Sequence, residues 1–235
     1  MNKDEIKERE TEILTFIYEN KISLIRHIEG LFFGTYSRAR NYLSALEDKG
    51  LLDSTSFKHF GGEKIYFMSY QGIQHLKSLG IDAARYKINE KELAHDAGVL
   101  DLLVYFMRHE KAVNFTTDYR LRRIRKKENG TYRIPDFIFT DRDNKSGFVE
   151  YQLADKPKDI IRGYINDYLS YYPSGFAKYF IVRPGKERLY HSLLSEMNVE
   201  NFHVGTFDLE KGLVLYSGKS PILSGPGEMI SPEAK

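Results

Sequence analysis

The stretch RIPDFIFTDRDNKSGFVEYQ, residues 133–152, decides how the second half of this chain is read. Two runs of apolar residues flank DRDNKSG (141–147), a segment rich in Asp, Asn and Gly, and the pattern predicts a β-hairpin. The period of two along a strand sets Ile134, Asp136 and Ile138 on one face, and Phe148, Glu150 and Gln152 on one face of the next strand. The midpoint of positions 136 and 150 is 143, inside the turn. A symmetric hairpin therefore makes Asp136 and Glu150 opposite or diagonal neighbours, with Cβ atoms about 5–8 Å apart. Two carboxylates side by side in an Ile/Phe/Val sheet repel, so at least one must raise its pKa or find a cation. A divalent ion that prefers oxygen ligands, magnesium or manganese, is the simplest resolution.

Working outward, TYRIPDFIFT and SGFVEYQLA read as strands, as does AVNFTTDYRL before them. KELAHDAGVLDLLVYFMRHE reads as a long helix preceding these strands, and PKDIIRGYINDYLSYY as a helix following them, with proline at its start. A strand (AKYFIVR), a helix (KERLYHSLLSEM) and two more strands complete a mixed α/β domain over residues 91–218, followed by a flexible tail, 219–235.

The first 80 residues have a different character. Apolar residues at helical spacing predict helices over 4–19 and about 22–32. A third helix starts after Thr35 as N-cap, buries Ala39, Leu43 and Leu46, and ends at Gly50 as a C′ glycine. DSTSFKHF and EKIYFMS around Gly61-Gly62 read as a hairpin, and YQGIQHLKSLG as a closing helix. Three helices, a hairpin and a helix make a winged helix-turn-helix over 1–80, and LEDKGLL followed by YFMSYQGIQHL resembles winged-helix DNA-binding domains. Residues 81–90 show no sustained period and read as a linker.

Composition narrows the function classes. An apolar fraction of 41% fills real cores, and 29% charged residues with no run of about eighteen apolar residues argue against a membrane span. The N-terminus lacks the apolar core of a signal peptide, so the expected location is cytoplasmic. The absence of cysteine excludes disulfides, thiolate catalysis and cysteine zinc sites. With a net charge of only +2, a nucleic-acid partner must be held by local basic patches. No nucleotide loop or cofactor motif is found.

Pro135-Asp136 and Glu150-Tyr151-Gln152, after a long helix and before strand–helix–strand, resemble the PD-(D/E)xK nuclease-like superfamily, with a restriction-endonuclease-like αβββαβ core. That resemblance implies that Asp136 and Glu150 hold a metal and that position 152 carries a water-activating lysine. Here it is Gln152, although Glu-x-Gln occurs in active members, and Lys156 or Lys158 stand as migrated replacements. The whole chain resembles the replication-relaxation family of plasmids and mobile elements through Ala94-His95-Asp96, Arg133-Ile134-Pro135-Asp136, Glu150 and the helix Pro157–Tyr172. The resemblance implies a role in plasmid replication, DNA relaxation or conjugative transfer.

DNA contacts are expected from two places. A winged helix lays its third helix in the major groove, so Tyr36, Ser37, Arg38, Arg40 and Asn41 are the expected base readers, with Lys58, His59 and Lys64 on the wing. The run RLRRIRKK has six basic residues in eight, and Arg120, Arg122, Arg123, Arg125, Lys126 and Lys127 suit phosphates, on an exposed strand end and turn. His95 reads as a core histidine, and Tyr164, Tyr168, Tyr171 and Tyr172 as helix packing rather than nucleophiles. The leading expectation is a sequence-specific protein that binds double-stranded DNA in replication, relaxation or transfer, compatible with a homodimer and with replication or transfer proteins as partners. The alternatives are a magnesium- or manganese-dependent nickase or relaxase with Asp136, Glu150, Gln152 and Lys156 as catalytic residues, and a winged-helix transcription regulator.

Overall fold

The computed structural model describes residues 3–57, 62–109, 112–126, 133–199, 201–217 and 220–222. The expected Lys58, His59 and Lys127 contacts lie outside these residues, as does most of the tail, and the side chains of Arg125 and Lys126 lie outside the description too. The fold is mixed α and β, and the chain divides into two compact units, residues 1–104 and 105–235.

In the first unit the helices are α1 (Lys3–Asn20), α2 (Ile25–Ile28), α3 (Tyr36–Asp48) and α4 (Tyr70–Ser78). The strands are β1 (Ser23–Leu24), β2 (Leu52–Ser56) and β3 (Lys64–Met68), in sheet order β1-β3-β2. The expected second helix is thus split: Ser23 and Leu24 pair with Tyr66 and Ile65 as a strand, and only then does the chain turn helical. Its last part, Glu29–Phe33, widens into a π-turn closed by Gly34 at φ +66°. A strand there satisfies the backbone of β3, a demand of tertiary pairing that apolar spacing does not reveal.

Helix α3 buries Ala39, Leu43 and Leu46, as its spacing predicts. Its end is a Schellman motif: the Gly50 amide donates to the Glu47 carbonyl (2.8 Å) and the Leu51 amide to the Leu46 carbonyl (3.0 Å), with Gly50 at φ +71°. Thr35 occupies the N-cap position in extended conformation, without a side-chain capping bond. Ser69 caps α4 by accepting from the Gly72 amide (2.9 Å). Residues 81–89 have no regular structure, but they are pinned to this unit. Tyr18 Oη accepts from the Ala84 amide (2.8 Å), and Tyr86 Oη donates to the Lys21 carbonyl (2.7 Å) while accepting from the Met68 amide (3.2 Å). The division between units falls after Val104, inside helix α5 (Leu93–His109).

The second unit is built on a seven-stranded sheet, β10-β9-β8-β7-β6-β5-β4. Its strands are β4 (Ala112–Thr117), β5 (Phe137–Asp141), β6 (Ser146–Gln152), β7 (Ala177–Val182), β8 (Phe202–Asp208), β9 (Gly212–Ser217) and β10 (Ser220–Ile222). Among the described strands β6–β7 and β7–β8 are the parallel pairs, joined through α7 (Lys158–Tyr171) and α8 (Glu187–Glu196). Those two helices bury Ile161, Ile165, Tyr168, Tyr190 and Leu193 against Phe148, Phe180 and Val182. Elsewhere in the unit, Phe106, at the end of α5, meets Phe137, Phe139 and Tyr179 with ring centroids 5.2–5.7 Å apart.

One expectation fails here. AVNFTTDYRL is not a single strand: β4 ends at Thr117 and α6 (Asp118–Lys126) follows, so the basic run forms a helix instead of a strand end and turn. Asp118 favours a helix start, and Leu121 is buried, giving α6 an anchoring apolar side. No helix among the described residues is long and apolar enough to cross a membrane.

Candidate functional site

The β5–β6 register pairs Phe137 with Val149 and Ile138 with Phe148. Carried one step further, it sets Asp136 opposite Glu150, the juxtaposition that the symmetric hairpin predicts. Regular pairing stops there, because Asp136 Oδ2 accepts from the Tyr151 amide (2.6 Å), so the side chain takes a ladder position. Asp136 also lends its carbonyl to the Asp118 amide at the start of α6 (2.8 Å), which fastens the basic helix beside the carboxylates.

Glu150 is 4% exposed and both of its oxygens are engaged. Arg133 pairs with Oε1 through Nη2, and Tyr168 Oη donates to Oε2. Arg133 Nε donates to the Tyr168 hydroxyl (3.0 Å), closing a three-membered ring of hydrogen bonds, and its guanidinium stacks on Tyr164 at 3.2 Å from the ring centroid. Burial pushes Glu150 up, and Asp136 adds to this; Arg133 and Tyr168 oppose them, and the carboxyl settles at about 7. Arg133 stays charged, its pKa raised despite burial by Glu150. Burial, then Glu150, puts the Tyr168 hydroxyl well above its ordinary value, which makes it a hydrogen-bond donor and a poor nucleophile.

This donor set does not fit a divalent ion. The cation that compensates Glu150 is Arg133, and a metal would have to displace both it and Tyr168. Among the described residues no group of three or more His, Asp or Glu side chains is placed to hold a metal. Gln152, 7% exposed, spends its Nε2 on the Ala154 carbonyl (3.0 Å), and Lys156 lies with Nζ 4.6 Å from the Tyr164 ring centroid. The geometry therefore brings together Asp136, Glu150, Arg133, Tyr164 and Tyr168. Gln152 and Lys156 flank a small cleft of about 30 Å³, with Arg183 and Lys186 across from them.

The other predicted residues fall on two helices. Tyr36, Ser37, Arg38, Arg40 and Asn41 are all exposed at the start of α3, while Ala39 between them is buried. Lys64 is committed to α3 through Glu47 (3.0 Å), an ion pair between strand and helix. On α6 Arg122 pairs with Asp118 (3.0 Å) in an i,i+4 bridge. His95 is no core residue: it sits in the first turn of α5, 36% exposed and 3.6 Å from Asp96. Tyr168 and Tyr172 are buried and Tyr171 is half exposed.

Three polar groups escape a reading of the sequence. Arg133 appears there only as part of the strand motif, and in the structure it precedes β5 in irregular backbone. Asp101 stands on the buried stripe of α5 between Leu100 and Leu102, and meets Arg26 and His27. Lys178 is 1% exposed on β7, donates to the Phe176 (2.9 Å) and Pro173 (3.3 Å) carbonyls, and has its pKa lowered by burial.

No curated protein and no solved structure matches the chain. The family described as Replication-relaxation matches residues 14–180, a span that runs from α1 through both units to the middle of β7 and takes in α3, Arg133, Asp136, Glu150 and Tyr168. On that match the chain belongs to the replication-relaxation family.

Proposed function

We propose that this protein is a sequence-specific double-stranded DNA-binding protein of a plasmid or mobile element, acting in replication, DNA relaxation or transfer without cutting the DNA itself. The first unit acts as a winged helix, with α3 as reader and the β2–β3 hairpin as wing. The second unit is a nuclease-like domain turned to binding, with α6 laying arginines along phosphates. The observation that carries the non-cutting part is the occupation of both Glu150 oxygens by Arg133 and Tyr168. A carboxylate already neutralised by an arginine has no need of a metal, and Gln152 supplies neither a cation nor a base. The exposure of Tyr36, Ser37, Arg38, Arg40 and Asn41 around a buried Ala39 supports the reading function.

The Asp136–Glu150 juxtaposition favours the nickase reading instead, and one experiment separates the two. Supercoiled plasmid DNA is incubated with the protein and magnesium or manganese, and duplex binding is measured in parallel. Binding with unchanged topology is the expected result. Nicking that needs metal and vanishes in Asp136→Asn would replace the proposal with the enzyme.

A further inference from the structure

A second charge cluster lies within the first unit. His27 is completely buried in the apolar run that forms α2. Its Nδ1 accepts from the Leu24 amide (3.1 Å), so the neutral ring carries its proton on Nε2 and donates to Asp101 Oδ1 (2.9 Å). The neighbouring Arg26 binds the same carboxylate in bidentate fashion, Nε to Oδ1 at 2.6 Å and Nη2 to Oδ2 at 2.9 Å. Its remaining nitrogen, Nη1, pairs with Glu63, just before β3. Burial pushes Asp101 up, but His27 and Arg26 more than offset this and hold it below the ordinary carboxylate value.

Such a cluster is a costly way to glue helices, because apolar side chains of similar volume commonly stabilise at least as well. What it supplies is geometry. One arginine joins three elements: α2, which packs directly against α3; the hairpin; and α5 through Asp101. The bidentate fork fixes both distance and angle, which a single ammonium does not. It also neutralises Glu63, the acid in a stretch whose lysines and histidine are the proposed phosphate contacts.

We propose that Arg26, His27 and Asp101 are positioning residues for DNA recognition, clamping hairpin and α2 to α5 so that wing and reading helix meet the duplex at a set spacing. This rests on the DNA-binding reading above, and it makes the first part of α5 a working piece of the reader.

The test uses the full chain and a duplex enriched by the wild-type protein from a random-sequence pool. Asp101→Asn and Arg26→Gln are compared with wild type for circular dichroism, melting, affinity, salt dependence and footprint. The expected result is a folded protein that binds about tenfold more weakly, with a salt slope shallower by about one. Footprint protection beside the hairpin is lost, while guanine contacts under α3 persist. The double variant should lose less than the sum of the two single losses, since both remove the same Arg26–Asp101 pair. Should either variant fail to fold, Glu63→Gln breaks only the hairpin arm and is expected to show the same loss of flanking protection. Folded variants with wild-type affinity, salt slope and footprint overturn the clamp alone. A wild-type chain that enriches no duplex overturns the DNA reading, and the clamp with it.

Discussion

Arg133 is the cation that makes the buried Glu150 tolerable in the sheet. Removing Arg133 takes the cation from a buried carboxyl that can answer by taking up a proton, so Arg133→Ala should cost about 1–3 kcal/mol in chemical denaturation. Asp136→Asn acts in the opposite sense: it removes a negative charge that pushes Glu150 up, and its amide oxygen still accepts from the Tyr151 amide, so the melting temperature should stay equal or rise. The same carboxyl sets a pH dependence. Its folded pKa of about 7 lies above the ordinary carboxyl value of 4.5, so its contribution to stability is fully present below 4.5 and is lost as pH rises towards about 7. Wild-type stability measured relative to Glu150→Gln should therefore fall across that window. A difference that stays flat across the same range would refute the raised pKa.

At the scale of elements, α3 and α6 both carry exposed arginines but should act differently. Helix α3, the proposed reader, presents Arg38, Arg40 and Asn41 around buried Ala39, and on that proposal Arg38→Ala or Arg40→Ala should each lose about 1–3 kcal/mol on the cognate site. Wild-type affinity in both variants would remove α3 as the reader. Helix α6 carries Arg120, Arg122, Arg123 and Arg125 within six residues, and replacing Arg122 and Arg123 by Ala should weaken binding to all sequences alike. The slope of log affinity against log salt should drop by about two. An unchanged slope would place the phosphate contacts elsewhere. The helical state of α6 escaped the sequence reading because basic residues are good formers of exposed helices and equally common at sheet edges. What decides between them is the burial of Leu121 and the bond from Asp118 to the Asp136 carbonyl, neither of which is a local property.

For the whole molecule, the metal question has a single readout: with Arg133 as resident cation, magnesium or manganese should leave the melting temperature unchanged, in wild type and in Asp136→Asn alike. Metal-dependent stabilisation lost in the variant would show that the ion displaces Arg133. The sequence by itself determined much of this architecture. Periods of 3.6 and 2 located α1, α3, α7 and the β5–β6 hairpin, and the glycine after α3 marked its end, because those signals are carried by neighbours in the chain. Counting to the centre of a turn placed Asp136 across from Glu150. Tertiary structure alone decided what those carboxylates meet. Arg133, seventeen residues from Glu150, and Tyr168, eighteen residues beyond it, converge only when α7 folds back over the sheet. Likewise, Arg26 and Asp101 lie seventy-five residues apart, and β1 becomes a strand only because β3 arrives beside it. Charges buried together in this way are specified by packing, which no local period records.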